Sequence, residues 1–522
     1  MAKLQDDVEK TFASALQLVR GTSLFELQST LLACQERLSQ PMQIAIIGEI
    51  SSSKSTLVNA LLKQEEVVRT GALEETFNVS WLKFGSQDAP ITVHYKSEEN
   101  QAEQVSRKEW QSWANRMGMD SFKSSVSYLE VEHDSPMLRT FNIIDTPGLN
   151  AHLGTDSQNT LDFLQLKKPD AIVLVFTKSI AQDSVALLKT FNSHIPGNMS
   201  PINTIGVLSK VDSYWPAEDI PLEAGQRVCR RLMDTEPSVK SALFALTPLS
   251  ARMALGSLVM DDEDFNAFTR LAELDSDRFI KMIATSKRFT KALDDFSLSS
   301  SQRKKLLEKY SRYGVSFAVS QLSQEPRWQL DDLRQALLKV SGYPEFMETL
   351  TEHFGNRAYL VKLSTIQPII AEAIQQARLS SDVNAISVLP EIERLFETLM
   401  SSRHEFRELQ LLQKYYEGSI DVSQQDIDEL LRVSGEYGDA YCTRLGLSVE
   451  SDIEAMLKLA SERIQYWRAR VVKAGVNHDE KLIATTLQRS YRYLYQSIEQ
   501  AADRLHQSSI QLWGKPLHKR SD

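Results

Sequence analysis

A chain of 522 residues, 25% charged and 42% hydrophobic, has the composition of an ordinary globular protein and is too long for a single core. Its net charge of −10 argues against a nucleic-acid partner, and its three scattered cysteines (Cys34, Cys229, Cys442) exclude a disulfide framework and read as buried thiols in a reducing compartment. The polar, acidic start has no signal-peptide pattern, and no apolar run approaches the ~20 residues that span a bilayer, so a cytoplasmic protein is expected.

Residues 2–20 place Leu4, Val8, Phe12, Leu16 and Val19 on one helical face. Gly21-Thr22-Ser23 breaks that pattern and offers Ser23 as N-cap of a second helix, about 24–39, carrying Leu24, Leu27, Leu31 and Leu38. Each helix needs a partner elsewhere in the chain. After Pro41, Ile44–Ile47 reads as a buried parallel strand ended by Gly48. Further strands are expected at 77–84, 91–95, 128–132, 141–145, 171–176, 204–208, 243–247 and 314–318. Helical patterns fall at about 106–117, 182–194, 222–234, 255–310 and 328–340. This alternation predicts a mostly parallel α/β sheet with helices on both faces.

From about residue 346 no further strand is expected. Helices are predicted over 346–380, with Pro368 marking a kink or break, and over 391–417, 423–444 and 450–473. A last one, 478–513, would stripe Ile483, Leu487, Tyr491, Leu494, Ile498 and Leu505 along ~50 Å. The expected domains are a nucleotide-type α/β domain over 41–345, a helical stalk or bundle over 346–522, and N-terminal helices over 1–40 packing on that bundle.

The chemistry concentrates at strand ends. Gly48-Glu49-Ile50-Ser51-Ser52-Ser53-Lys54-Ser55 has the spacing of a phosphate-binding loop, G-x-x-x-x-G-K-[ST], running into Thr56 of the next helix. Backbone N–H groups of such a loop wrap phosphates, Lys54 reaches the β/γ-phosphates, and the Ser55 hydroxyl binds Mg²⁺. Ser53 stands where the motif has its second Gly, a position that favours φ > 0. Asp145-Thr146-Pro147-Gly148 adds a carboxylate for Mg²⁺ and an N–H for a γ-phosphate. Thr76 lies in the polar loop before the next strand, where a Mg²⁺-sensing threonine would sit. Ser209-Lys210-Val211-Asp212 ends another strand. Asp212 can accept from guanine N1–H and N2–H₂, a pattern adenine lacks, while the Lys210 stem lies along the base. Ser250-Ala251 ends a further strand, where a backbone N–H can meet the guanine O6.

These residues carry a resemblance. Gly48–Leu62, Asp145–Leu149, Leu208–Asp212 and Val340–Phe346 (Val-Ser-Gly-Tyr-Pro-Glu-Phe), with long helices before and after a large G domain, resemble a bacterial member of the dynamin superfamily. The resemblance implies GTP hydrolysis, with GTP/GDP and Mg²⁺ as ligands, coupled to G-domain dimerisation and movement of a helical stalk, in membrane remodelling or maintenance. It implies a partner that is a second copy or a second dynamin-like protein, a peripheral lipid surface at the inner face of the cell membrane, and no nucleic acid. It assigns Lys54 and Ser55 to phosphate and Mg²⁺, Ser51 to transition-state charge, Thr76 to Mg²⁺ and the attacking water, Gly148 to the γ-phosphate, and Lys210 and Asp212 to guanine.

Ile50, where eukaryotic dynamins carry a polar catalytic residue, and Ser53 depart from the family pattern. They leave an alternative open: a catalytically weak pseudo-GTPase scaffold paired with an active dynamin-like partner. The turn Ser380–Pro390, with Ile386, Val388 and Leu389, reads as a cap on the bundle more than a membrane paddle, and Lys515, His518, Lys519 and Arg520 as a solvated tail. His404-Glu405-Phe406-Arg407-Glu408 lacks the second His of a zinc helix.

Overall fold

A computed structural model describes residues 2–49, 51–67, 79–96, 102–109, 126–148, 162–164, 167–177, 200–292, 296–379, 382–473, 475 and 477–513. They form two compact units, one of residues 41–350 and one of residues 1–40 with 351–522.

The first unit is built on a nine-stranded sheet. In chain order the strands are β1 (Met42–Gly48), β2 (Val79–Phe84), β3 (Ile91–Tyr95), β4 (Ala102–Val105), β5 (Val126–His133), β6 (Phe141–Asp145), β7 (Ala171–Phe176), β8 (Thr204–Ser209) and β9 (Leu246–Leu249). Their order across the sheet is β4-β3-β5-β2-β6-β1-β7-β8-β9. The β6-β1-β7-β8-β9 half is parallel throughout. Antiparallel pairs join β2 to β6, β3 to β4 and β3 to β5.

β1, β6, β7 and β8 are buried along their whole length, as apolar runs covered on both faces must be. Ala45 and Ile47 share one core with Ile172, Leu174 and Phe176 and with Cys229 and Leu232 of the helix Pro221–Thr235. A second core gathers Phe268, Phe289, Tyr310, Val315 and Leu337 from the helices that follow β9.

The structure departs from the expected elements of this unit at three places. β4 escapes pattern reading because its sequence, Ala-Glu-Gln-Val, buries only its last residue at the sheet edge. The strand expected at 243–247 is shifted to Leu246–Leu249. No strand forms at 314–318. Those residues lie in the helix Ser300–Gln324, where Val315, Ala318, Val319 and Leu322 bury a helical stripe. That helix is interrupted at Ser311 (φ 60°), which hid its continuity in the sequence. Of the helix expected over 106–117, residues 106–109 are described and 107–109 are helical; the rest of it, and 182–194, lie outside the described residues.

The second unit is helical among its described residues. Its helices include α1 (Ala2–Val19), α2 (Phe25–Ser39), α3 (Ala358–Ala377), α4 (Leu389–Ser402), α5 (His404–Tyr416), α6 (Gln424–Val433), α7 (Ile453–Val472) and α8 (His478–Trp513). Leu4, Val8, Phe12 and Val19 of α1 pack with Leu27 and Leu31 of α2, Ile366 and Ile370 of α3, and Ile392 and Leu399 of α4. Phe12 meets Phe396 edge-on at 5.2 Å. Lys362 Nζ donates to the Leu38 and Gln40 carbonyls, closing the end of α2.

Ser23 does not cap α2. Leu24 occupies that position, and the Ser23 hydroxyl donates to Asp382 instead. α3 runs through Pro368 without ending. The helix expected over 391–417 divides at the extended Arg403, and that over 423–444 ends at Val433, before Gly435 and Gly438 at positive φ. On α8 the apolar stripe is buried as far as Ile498, but Leu505 is exposed. Leu389 is buried, and Ile386 and Val388 pack on the same core, so this turn gives its apolar side chains to the bundle. Among the described residues no helix is long and apolar enough to cross a membrane. All three cysteines are buried, and burial pushes the Cys229 thiol up to about 12.

A π-helical turn, Thr351–Gly355, opens the second stretch of this unit. His353 Nδ1 lies 2.9 Å from Glu436 Oε1, and Arg357 Nη1 lies 2.7 Å from Oε2, all three side chains buried. Burial alone would raise the Glu436 carboxyl; the charges of His353 and Arg357 and the His353 hydrogen bond outweigh it and hold the group below its ordinary value. A depressed carboxyl stabilises the fold above its unfolded pKa and loses that contribution as pH falls through the folded one. Glu436→Gln should therefore cost about 3–5 kcal/mol at neutral pH, with the deficit shrinking below about pH 4, as urea unfolding at a series of pH values would show.

Candidate nucleotide site

Gly48 ends β1 where no side chain fits. A Cβ there would stand 2.2 Å from the Val175 carbonyl oxygen of β7. The loop that follows is turned by two serines in the left-handed region, Ser51 at φ 58° and Ser53 at φ 70°. Ser53 thus holds the conformation that glycine would take without strain, and a nine-residue helix, Lys54–Leu62, starts directly after it.

Lys54 is buried, and its Nζ donates to the loop's own carbonyls at Gly48 (3.2 Å) and Glu49 (2.7 Å). Ser55 Oγ donates to Asp145 Oδ2 at 2.9 Å, because β6 ends beside β1 in parallel register, with Asp145 opposite Ile46. Asp145 is wholly buried. Burial pushes its carboxyl up to about 6, against the lowering effects of the Lys54 charge and the Ser55 hydroxyl. Its Oδ1 and the buried Ser52 Oγ have no hydrogen-bond partner among the described residues. A carboxylate and a hydroxyl at one point, with one buried oxygen unused, suit a hard, oxygen-seeking cation such as Mg²⁺.

The loop is braced from neighbouring strand ends. Ser209 Oγ, at the end of β8, donates to the Ser52 carbonyl at 2.7 Å. Thr146 Oγ1 donates to the Ile46 carbonyl (2.8 Å), and Thr177 Oγ1, just past β7, to Glu49 Oε2 (2.8 Å). Thr56 sits half-buried in the first turn of the helix, and Gly148 is half-exposed three residues beyond Asp145. Thr76 and Ile50 lie outside the described residues.

After β8 the chain turns at Lys210 (φ 58°) and presents Asp212. Asp212 Oδ1 accepts from Ser250 Oγ at 2.6 Å, and Ser250 Oγ accepts in turn from the Met253 N–H at 3.4 Å. The backbone N–H of Ser250 is already given to the Ser341 carbonyl at 2.8 Å. Of the two strand-end amides, that of Ala251, the first residue of the helix Ala251–Leu258, is the one a helix leaves without an intrahelical partner.

Ser250 is therefore a positioning residue for Asp212, a role its place in the sequence did not show. Ser341, Gly342 and Tyr343 were also missed. Gly342 (φ 83°) comes so close to Pro248 that a Cβ would lie 2.3 Å from its carbonyl oxygen, and Tyr343 OH donates to the Ala60 carbonyl at 3.2 Å. The signal was the segment Val340–Phe346, which the resemblance singled out without giving it a task.

A strand, a phosphate-type loop, a helix N-terminus and an acidic turn at the carboxyl ends of parallel strands define a P-loop nucleotide-binding domain of the guanine type. Residues 44–211 match the model of the dynamin family. The likeness is to the dynamin superfamily, of the bacterial dynamin-like kind. It is 24% identical over 474 residues to the isoniazid-induced protein IniC of Mycobacterium tuberculosis, spanning 89% of this chain and 93% of that protein. Over 269 residues it is 26% identical to a probable chloroplastic transmembrane GTPase, FZO-like, of Arabidopsis thaliana, spanning 50% of this chain and 25% of the relative. A solved structure of an oligomerised bacterial dynamin pair, described as a mechanism for long-range sensing and tethering of membranes, aligns over 98% of this chain and 77% of its own, with 16% identity and a TM-score of 0.31.

Left-handed backbone at a non-glycine residue costs about 1–2 kcal/mol. Ser53→Gly should release part of this and raise the stability of the sheet unit by about 1 kcal/mol in urea unfolding, with the nucleotide affinity equal or tighter.

Proposed function

We propose that this chain binds GTP with Mg²⁺ and hydrolyses it to GDP and phosphate. The observation that carries the reading is the convergence of Lys54, Ser55 and Asp145 at the ends of β1 and β6, with Asp212, held by Ser250, after β8. In this reading Lys54 leaves the Gly48 and Glu49 carbonyls for the β/γ-phosphates, and the loop N–H groups of Glu49 to Thr56 wrap them. Ser55 and Asp145 hold the cation, together with Thr76. Bound there, Mg²⁺ would neutralise charge on the phosphates. Gly148 offers its N–H to the γ-phosphate, and Ser51 lies on the exposed side of the loop, where transferring charge needs a donor. Asp212 and the Ala251 N–H read guanine, and Ser209 keeps the phosphate loop in register with them.

The match to the dynamin family supports the further reading that turnover is coupled to pairing of G domains, with a second copy or another dynamin-like chain, and to movement of the helical unit in membrane remodelling or maintenance. Such a protein acts in the cytoplasm or at the inner face of the cell membrane. The test is GTP turnover with and without liposomes. Wild type that binds GTP yet never turns it over would favour the scaffold reading instead.

Lys54→Ala should lower turnover by about 100-fold or more, because it removes the cation aimed at the transferred phosphoryl group. Unchanged hydrolysis in this variant would remove the proposed site. Asp212→Asn should weaken GTP binding by about 10–100-fold, since it loses a charged acceptor for two guanine donors. The same variant should gain affinity for xanthosine triphosphate, whose C2 carbonyl can accept from the new amide. A competition titration with both nucleotides reads the two effects together.

A further inference from the structure

A second concave site lies in the helical unit. It is a pocket of about 290 Å³ lined by Ser401, His404, Arg407, Arg489, Arg492, Tyr493 and Gln496. Its walls are the end of α4, the first turn of α5 and one face of α8, where Arg489, Arg492, Tyr493 and Gln496 recur at helical spacing. Three guanidinium groups and an imidazole converge, and among the described residues no carboxylate lines the space. Arg489 and Arg492 are exposed and make no ion pair with a described residue. Arg407 spends one nitrogen on the Ser401 carbonyl (2.9 Å), leaving other donors of its fork.

His404 supplies an independent observation. The residue is more than nine-tenths buried, and its ring is fixed from one side. Nε2 meets Ser490 Oγ at 2.8 Å and lies 3.3 Å from Glu408 Oε1, while Tyr493 stacks on the ring at 5.2 Å. Its Nδ1 is buried and has no hydrogen-bond partner among the described residues. A ring with its hydrogen on Nδ1 would present that nitrogen as a donor to an anion. The N-terminus of α5 adds the same preference, for Arg403 gives it no side-chain cap and pairs with Asp7.

We propose that this pocket binds a phosphate group. Arginine forks match phosphate oxygens, and the volume sits at the lower limit of the ~300–1,000 Å³ range of ligand pockets, enough for one phosphate or a phosphomonoester headgroup. The chemistry is shared by a free phosphate compound and by an anionic lipid, and two arms of one experiment separate them. Full-length protein is titrated calorimetrically with pyrophosphate, and floated with vesicles of phosphatidylcholine alone or with phosphatidic acid added. Each arm is repeated with Arg489→Ala/Arg492→Ala, whose exposed positions leave the fold intact, as an unchanged urea transition would verify.

Pyrophosphate also suits the phosphate loop, so the readout is the binding that the double variant loses. A loss of at least tenfold in the pyrophosphate arm alone assigns a free phosphate ligand. A loss of flotation with phosphatidic-acid vesicles assigns a lipid headgroup. Equal binding by wild type and variant in both arms, or no binding by either, overturns the proposal. The result does not depend on GTP turnover, so it stands or falls apart from the GTPase reading.

Discussion

The approach of β7 to Gly48 sets the rest of the nucleotide site. Because the Val175 carbonyl occupies the space a side chain would need, β1 can lie in parallel register between β6 and β7 right up to its last residue. The loop must then leave the sheet at that point. Two left-handed serines turn it within a few residues, and the helix begins at Lys54. The same register brings Asp145 beside Ile46, which is why a carboxylate from a residue far along the chain meets the Ser55 hydroxyl. Packing of three strands thus decides where the charges of the site stand.

Hydroxyl groups do the bracing. Thr146, Thr177 and Ser209 reach from the ends of β6, β7 and β8 to fix successive points of β1 and its loop. Against that background the two bare oxygens, Ser52 Oγ and Asp145 Oδ1, are informative. A buried polar atom without a partner costs about 1–3 kcal/mol, and a fold that satisfies the surrounding atoms so fully has no structural need to leave these two. In the proposed reading they are the atoms a phosphate or a hydrated cation would engage. The strain at Ser53 belongs to the same local economy, in that the backbone geometry is kept although the residue type resists it.

Strand identity was legible where a strand is buried on both faces, since Ile44–Ile47 and Ala171–Phe176 have no other use for continuous apolar runs. It failed at the sheet edge, where Ala102–Val105 has three exposed residues and no alternation, and at Gly314–Ala318, where β-branched and aromatic side chains serve a helix interrupted by Ser311. Motif spacing located Lys54, Asp145 and Asp212, because each stands at a strand end set by local sequence. It could not show that Ser250 spends its amide on Ser341 and its hydroxyl on Asp212. Those pairings join segments 38 and 91 residues apart, which no local pattern records. The helix divisions at Arg403 and Gly435 were hidden for a related reason, as apolar periodicity continues across both breaks.

The segment around Gly342 shows how far the site reaches along the chain. Ser341 holds the Ser250 amide, Gly342 closes against Pro248, and Tyr343 bonds the helix that carries Lys54 and Ser55. The helix Tyr343–Leu350 starts from these three contacts, and the residues after it enter the π-helical turn whose His353, with Arg357, is fixed on buried Glu436. Each end of this crossing is therefore anchored inside its own unit. On the sheet side the anchor is the backbone that presents Ala251 and the serine that orients Asp212. Both depend on Ser341 and Gly342, the residues from which the chain departs for the helical unit.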